Sequence, residues 1–96
     1  NHNPQKFKIT KAYPNPFNPN IAIDYNLKED SRLSFNIYNS TGKHVKSLFD
    51  EYQLKGSRSI KWNATNDRNE PVSAGLYLYT IQAGEFRQTK KMVLLK

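Results

Sequence analysis

Apolar side chains recur at every second position through much of this chain. Ile21, Ile23, Tyr25 and Leu27 alternate with Ala22, Asp24, Asn26 and Lys28, and Leu33, Phe35 and Ile37 alternate with Ser34 and Asn36. That period puts one face of a strand in a core and the other in water. The polar run Lys28-Glu29-Asp30-Ser31 between them predicts a turn, with a hairpin as the natural pairing. Upstream, Phe7, Ile9 and Lys11 alternate with Lys6, Lys8 and Thr10, which predicts a short edge strand over 5–12. Val45, Leu48 and Phe49 break strict alternation, so the strand that carries them is expected to be bulged or twisted, with a loop over 51–56 after it. Ile60 and Trp62 mark another short strand, whose tryptophan is the largest side chain a core this small can hold.

Gly75 to Ile81 is apolar on both faces, as a strand central to a sandwich would be, and Gly75 is expected to permit close packing where it starts. Phe86 to Leu95 reads as the last strand, basic at first and apolar at the end, in which either Met92 and Leu94 or Val93 and Leu95 complete the core. The breaks between strands have identifiable chemistry. Asn39-Ser40-Thr41-Gly42 supplies side chains that bond their own backbone and a glycine able to take positive φ. Asn63 to Pro71 is a polar loop whose Asn69 suits a left-handed position. Tyr13-Pro14-Asn15-Pro16-Phe17-Asn18-Pro19-Asn20 cannot be helical, because each proline fixes its own φ and restricts the residue before it. About seven short strands with turn signals between them, and no helical period, predict an all-β fold: an immunoglobulin-like antiparallel β-sandwich without helix.

Composition narrows the class without naming a function. The chain has 96 residues, enough for one domain. It has no cysteine, so neither disulfides nor thiolate metal sites contribute. Met92 to Leu95, like Leu76 to Tyr79, is an apolar run far short of a bilayer span, which argues against direct membrane insertion. Fifteen Lys and Arg against eight Asp and Glu give a net charge of +7, but the cations are scattered along strand faces and turns, as on a solvated surface. Tyr25, Tyr77 and Tyr79 occupy core-like positions rather than a base-stacking platform, so nucleic acid is not an expected partner. His2 and His44 are far apart with no carboxylate spaced to join either, so no metal, cofactor or catalytic triad is expected. The oxygen-rich 66–70 loop lacks the spaced carboxylates of a helix-loop-helix calcium site and contains Arg68. Nothing in this inventory argues for an enzyme.

Six pieces in order carry a resemblance: Tyr13-Pro14-Asn15-Pro16-Phe17-Asn18-Pro19, Ile21-x-Ile23-x-Tyr25-x-Leu27, Ile37-Tyr38-Asn39-x-x-Gly42-Lys43-x-Val45, Trp62, Pro71-Val72-x-x-Gly75-x-Tyr77-x-Tyr79, and Lys90-Lys91-Met92-Val93-Leu94-Leu95-Lys96. Together they resemble the type A C-terminal sorting domain of the bacterial type IX secretion system, over nearly the whole chain after Lys11. The immunoglobulin-like module of the flagellar hook-capping protein family is a close relative. Two departures are mild: Asn69 stands where the family usually has glycine, and Asn63 where aspartate usually follows the tryptophan.

The resemblance implies a linker or edge strand over 1–10 and a sorting domain over 11–96, attached to an N-terminal cargo. It implies partners in the outer-membrane translocon and in a sortase-like peptidase that removes the domain, often joining the cargo to an anionic lipopolysaccharide. The protein is expected to be a monomer, exported through the periplasm to the cell surface or medium. By carry-over, Lys90, Lys91, Met92, Val93, Leu94, Leu95 and Lys96 correspond to the segment tied to recognition. Pro14, Asn15, Pro16, Phe17, Trp62, Gly75, Tyr77 and Tyr79 correspond to motif positions with a structural role. The alternative is an accessory sandwich module that binds carbohydrate or protein within an extracellular enzyme through exposed aromatics such as Tyr38 or Tyr52.

Overall fold

A computed structural model describes residues 6–95. Seven strands follow in chain order: β1 (Phe7–Tyr13), β2 (Ile21–Leu27), β3 (Ser31–Asn39), β4 (His44–Gln53), β5 (Gly56–Trp62), β6 (Gly75–Ala83) and β7 (Phe86–Leu94). They form two antiparallel sheets, ordered β1-β2-β5 and β4-β3-β6-β7, with no helix among the described residues. The core lies between the sheets. Ile21, Ile23, Tyr25 and Leu27 enter it from the three-stranded side, and Leu33, Phe35, Ile37, Tyr79, Ile81, Met92 and Leu94 from the four-stranded side. The immunoglobulin-like sandwich is therefore as the alternation predicts.

The expected β2–β3 hairpin does not form. β2 pairs with β1 and β5, whereas β3 pairs with β4 and β6, so Lys28 to Asp30 carries the chain from one sheet to the other. Two inward-facing strands in opposite sheets show the same period as two in one sheet, so alternation alone could not separate these topologies. The loop expected over 51–56 is also mostly strand. β4 continues to Gln53 and β5 begins at Gly56, because its polar residues belong to an exposed edge.

Bulges explain the irregular patterns. β4 slips register against β3 between Phe35 and Asn36 and again between Ile37 and Tyr38, passing over Leu48 and Val45, as their spacing predicted. β1 slips between Ile9 and Lys11, so Ala12 rather than Lys11 follows Ile9 toward the core, and Lys11 is exposed. The turn predictions hold in detail. Gly42 has φ of 89°, and the Asn39 Oδ1 accepts the backbone N–H groups of Thr41 and Lys43 at 3.0 Å each. Asn69 takes φ of 63°. Gly75 is favoured for a different reason than close packing: nothing lies within 4 Å of where its Cβ would be, but its φ of 145° would strain any residue with a side chain.

Candidate functional site

Segments distant in sequence meet at one end of the sandwich. The proline stretch between β1 and β2 lies along the outer edge of β7. Phe17 N–H donates to the Val93 carbonyl at 2.9 Å, and Leu95 N–H donates to the Phe17 carbonyl at 2.8 Å. Asn15 extends the same ladder with its side chain, since its Oδ1 accepts the Val93 N–H at 3.0 Å and its Nδ2 donates to the Lys91 carbonyl at 3.4 Å. Pro14 and Pro16 bring no N–H, so the carboxamide of Asn15, carrying both donor and acceptor, stands in for a peptide group. The peptide bonds before Pro14, Pro16 and Pro19 are cis.

Behind this stitch, Phe17 turns inward. Its ring is 5.8 Å from Trp62, whose ring meets Tyr77 edge-on at 5.4 Å. Trp62 Nε1 donates to the Thr65 carbonyl at 2.8 Å, and the Tyr77 hydroxyl donates to the Ser73 carbonyl at 2.6 Å, so both polar tips are satisfied at the rim of the core. Burial raises the hydroxyl pKa of Tyr77. Tyr79, one layer deeper and stacked on Phe35 at 5.6 Å, has its pKa pushed up to about 12 by desolvation. The proline, tryptophan, Gly75-x-Tyr77 and terminal motifs thus share one pole of the domain.

Strand β7 divides the terminal motif by parity. Met92 and Leu94 are 0% and 1% exposed and complete the core, whereas Val93 and Leu95 are 36% and 50% exposed. Lys91 faces outward with them, and Lys90, opposite Tyr79, is exposed. Lys96 lies outside the described residues. On the outer face of the four-stranded sheet, Val93 lies beside Leu76, and the next row reads Lys91, Leu78, Tyr38, His44 across β7, β6, β3 and β4. Leu76 is 39% exposed, so the start of β6 is apolar on both faces but covered on only one.

Residues 11–95 match the secretion system C-terminal sorting domain family. The chain belongs to that family. Such a domain is a sorting signal of type IX secretion, attached to a cargo on its N-terminal side and handled by the secretion machinery, on an exported protein bound for the cell surface or medium. No curated protein matches the sorting domain. Among solved structures it is similar to dimeric latent PorU from Porphyromonas gingivalis, with a TM-score of 0.74 and 22% identity over 98% of this chain and 10% of that one. It is also similar to PorZ, an essential bacterial surface component of the type IX secretion system of the same organism, with a TM-score of 0.60 and 20% identity over 90% of this chain and 11% of that one. FlgD from P. aeruginosa gives a TM-score of 0.60 and 18% identity over 93% of this chain and 66% of that one. The sorting domain spans about a tenth of the PorU and PorZ chains. At these identities the likeness is one of fold.

The sorting domain also contains an arrangement that sequence spacing did not reveal. His44 Nδ1 is 3.6 Å from Asp67 Oδ2, and its Nε2 is 2.9 Å from Ser47 Oγ. The order of groups is that of a hydrolase triad, but the serine hydroxyl donates to Asn36 Oδ1 at 2.9 Å and the Ser47 N–H is taken by Asp67 Oδ1 at 2.9 Å. The Ser47 hydroxyl proton and the Ser47 N–H are thus both engaged, and the trio pins the 63–71 loop to β4. Lys46 Nζ fastens the same loop, donating to the Asn66 carbonyl at 3.1 Å and to Asn69 Oδ1 at 3.2 Å. An ammonium thus occupies the oxygen-rich turn considered for calcium. Tyr38 packs edge-on against His44 at 5.7 Å, while Tyr52 stands at the far end of the β3–β4 pair, so the two form no common sugar platform.

Proposed function

We propose that this domain is a non-enzymatic address read by the outer-membrane translocon of type IX secretion after its cargo has folded in the periplasm. A sortase-like peptidase then removes it on its N-terminal side. The observation that carries this reading is the family match over 11–95, joined to the convergence of the motif segments at one pole. Recognition is assigned to residues 90–96, with Pro14 to Phe17, Trp62, Gly75, Tyr77 and Tyr79 holding the end of β7 in place. The domain acts as a folded monomer, and its cations steer the approach to a negatively charged partner.

The test is a reporter fused ahead of residues 11–96 in a host that carries the system. The intact fusion is expected outside the outer membrane, and the same fusion lacking 90–96 inside it. A reporter that stays in the periplasm with the domain intact refutes the reading.

A further inference from the structure

Resting on that reading, we propose that the docking surface for the secretion machinery is the outer face of β6 and β7, centred on Leu76, Leu78, Lys91 and Val93 and bounded by Tyr38. The inward half of the terminal motif is unreachable in the folded domain, because Met92 and Leu94 are 0% and 1% exposed. The edge of the strand is taken as well: the outward backbone groups of Val93 and Leu95 are bonded to Asn15 and Phe17. Addition of a partner strand at this end would have to displace the proline segment. What the folded domain still offers is the outward side chains.

Those side chains form a patch rather than scattered contacts. Val93 lies beside Leu76, and Lys91 beside Leu78, which in turn lies beside Tyr38, so apolar groups from three adjacent strands are contiguous with a cation among them. Farther down the same face the rows turn polar: Thr89 with Thr80 and Asn36, then Arg87 with Gln82 and Ser34. The carboxylates on this face are engaged. Asp50 accepts from Arg32 Nε at 3.0 Å, and Asp67 is bound by Ser47 and His44. Among the described residues no carboxylate pairs with Lys91 or Arg87. The complementary surface is therefore a protein patch of apolar side chains with carboxylates beside them, on the secretion machinery. Buried apolar anchors would supply the affinity and the Lys91 pairing the orientation.

The experiment compares three variants of the reporter fusion with its parent, each first checked for an unchanged melting temperature. Leu76→Lys with Val93→Lys places two cations in the apolar row. Gln82→Lys with Thr89→Lys adds the same charge to the polar rows of the same face. Lys91→Glu reverses the central charge and leaves Leu76, Leu78 and Val93 unchanged. The expected result is that the first variant loses about tenfold or more of surface delivery, as loss of an interface anchor does. Lys91→Glu falls several-fold, and the polar-row variant is delivered like the parent. Delivery of the first variant at the parental level overturns the docking surface while the sorting reading stands. Equal loss in the polar-row variant overturns it too, since added charge anywhere on the face would then suffice. Ultracentrifugation is the second measurement: a parent dimer that the first variant dissociates makes this face a self-interface and overturns the proposal. A parent fusion that is not delivered removes the sorting reading itself.

Discussion

The two faces of β7 differ more than their sequences do. Inward, Met92 and Leu94 are sealed in the core; outward, Lys91, Val93 and Leu95 stand in solvent, although all five residues belong to one contiguous motif. A strand cannot serve two partners with one side chain, so the motif is two interleaved requirements. One set fixes the strand to the sandwich, and the other is available to something outside it. A deletion of the whole segment, which removes both, cannot distinguish a lost contact from a lost fold.

Single substitutions can. Met92→Ala should cost about 2–5 kcal/mol, the range for removing a long apolar side chain from a packed core, and chemical denaturation measures it directly. The next largest effect comes from one layer deeper in the core, where β6 has moved two residues on from Tyr77, the partner of Met92. Tyr79 is neutral in the fold up to about pH 12, whereas its unfolded value is 10.0. Its contribution is complete below pH 10 and is lost as pH rises through 12, because the unfolded chain ionises first. The loss should reach roughly 2–3 kcal/mol, since each pH unit separating the folded and unfolded ionisations is worth about 1.36 kcal/mol. Burial raises Tyr25 and Tyr77 in the same direction. Denaturation midpoints followed from about pH 9 to 12 check this, and Tyr79→Phe should flatten the fall. A slope unchanged by that substitution would show that the deep aromatic layer is not the titrating group.

Much of this was legible in the residues. Strict alternation in 21–27 and 33–37, the irregular spacing of Val45, Leu48 and Phe49, and the turn residues Gly42 and Asn69 each carry a local rule that the fold obeys. What stayed hidden is what a one-dimensional period cannot carry. Ile23 and Phe35 point inward whether their strands are neighbours or lie in facing sheets, so the crossing at Lys28 to Asp30 was invisible. The choice between Met92 with Leu94 and Val93 with Leu95 is a choice of phase, set by how β7 registers on β6. Asn15 bonding to Val93 joins residues 78 apart through a side chain, and no local signal predicts such a contact. The same applies to His44, Ser47 and Asp67, which a loop closing over β4 brings together.

The stitch itself supplies a smaller test. Asn15→Ala removes the acceptor for Val93 N–H and the donor to Lys91, but both groups lie at the surface, where water replaces the partner. The expected cost is therefore about 1 kcal/mol, the net worth of an ordinary hydrogen bond. Hydrogen exchange should report it locally, with faster exchange at Val93 and little change in the middle of β6. Uniform acceleration along both strands would mean instead that the proline segment holds the whole edge.

The smallest effect bears most closely on the comparison. Val93→Ala leaves the backbone bonds to Asn15 and Phe17 untouched and removes only two methyl groups from a side chain that is 36% exposed. Leu76→Ala likewise trims its neighbour, at 39%. Each should change stability by no more than about 0.5 kcal/mol, the usual range for surface positions. For a domain this small that is a shift of roughly 2–4 °C in melting temperature, which calorimetry resolves. Alanine is the informative choice here. Proline at 93 would remove the N–H that Asn15 binds, mixing the outer face with the edge, and a charge would add its own desolvation. If Val93→Ala cost as much as Met92→Ala, the outward side chain would be bearing core load, and the division of the motif into a packed half and a presented half would fail at the strand that defines it.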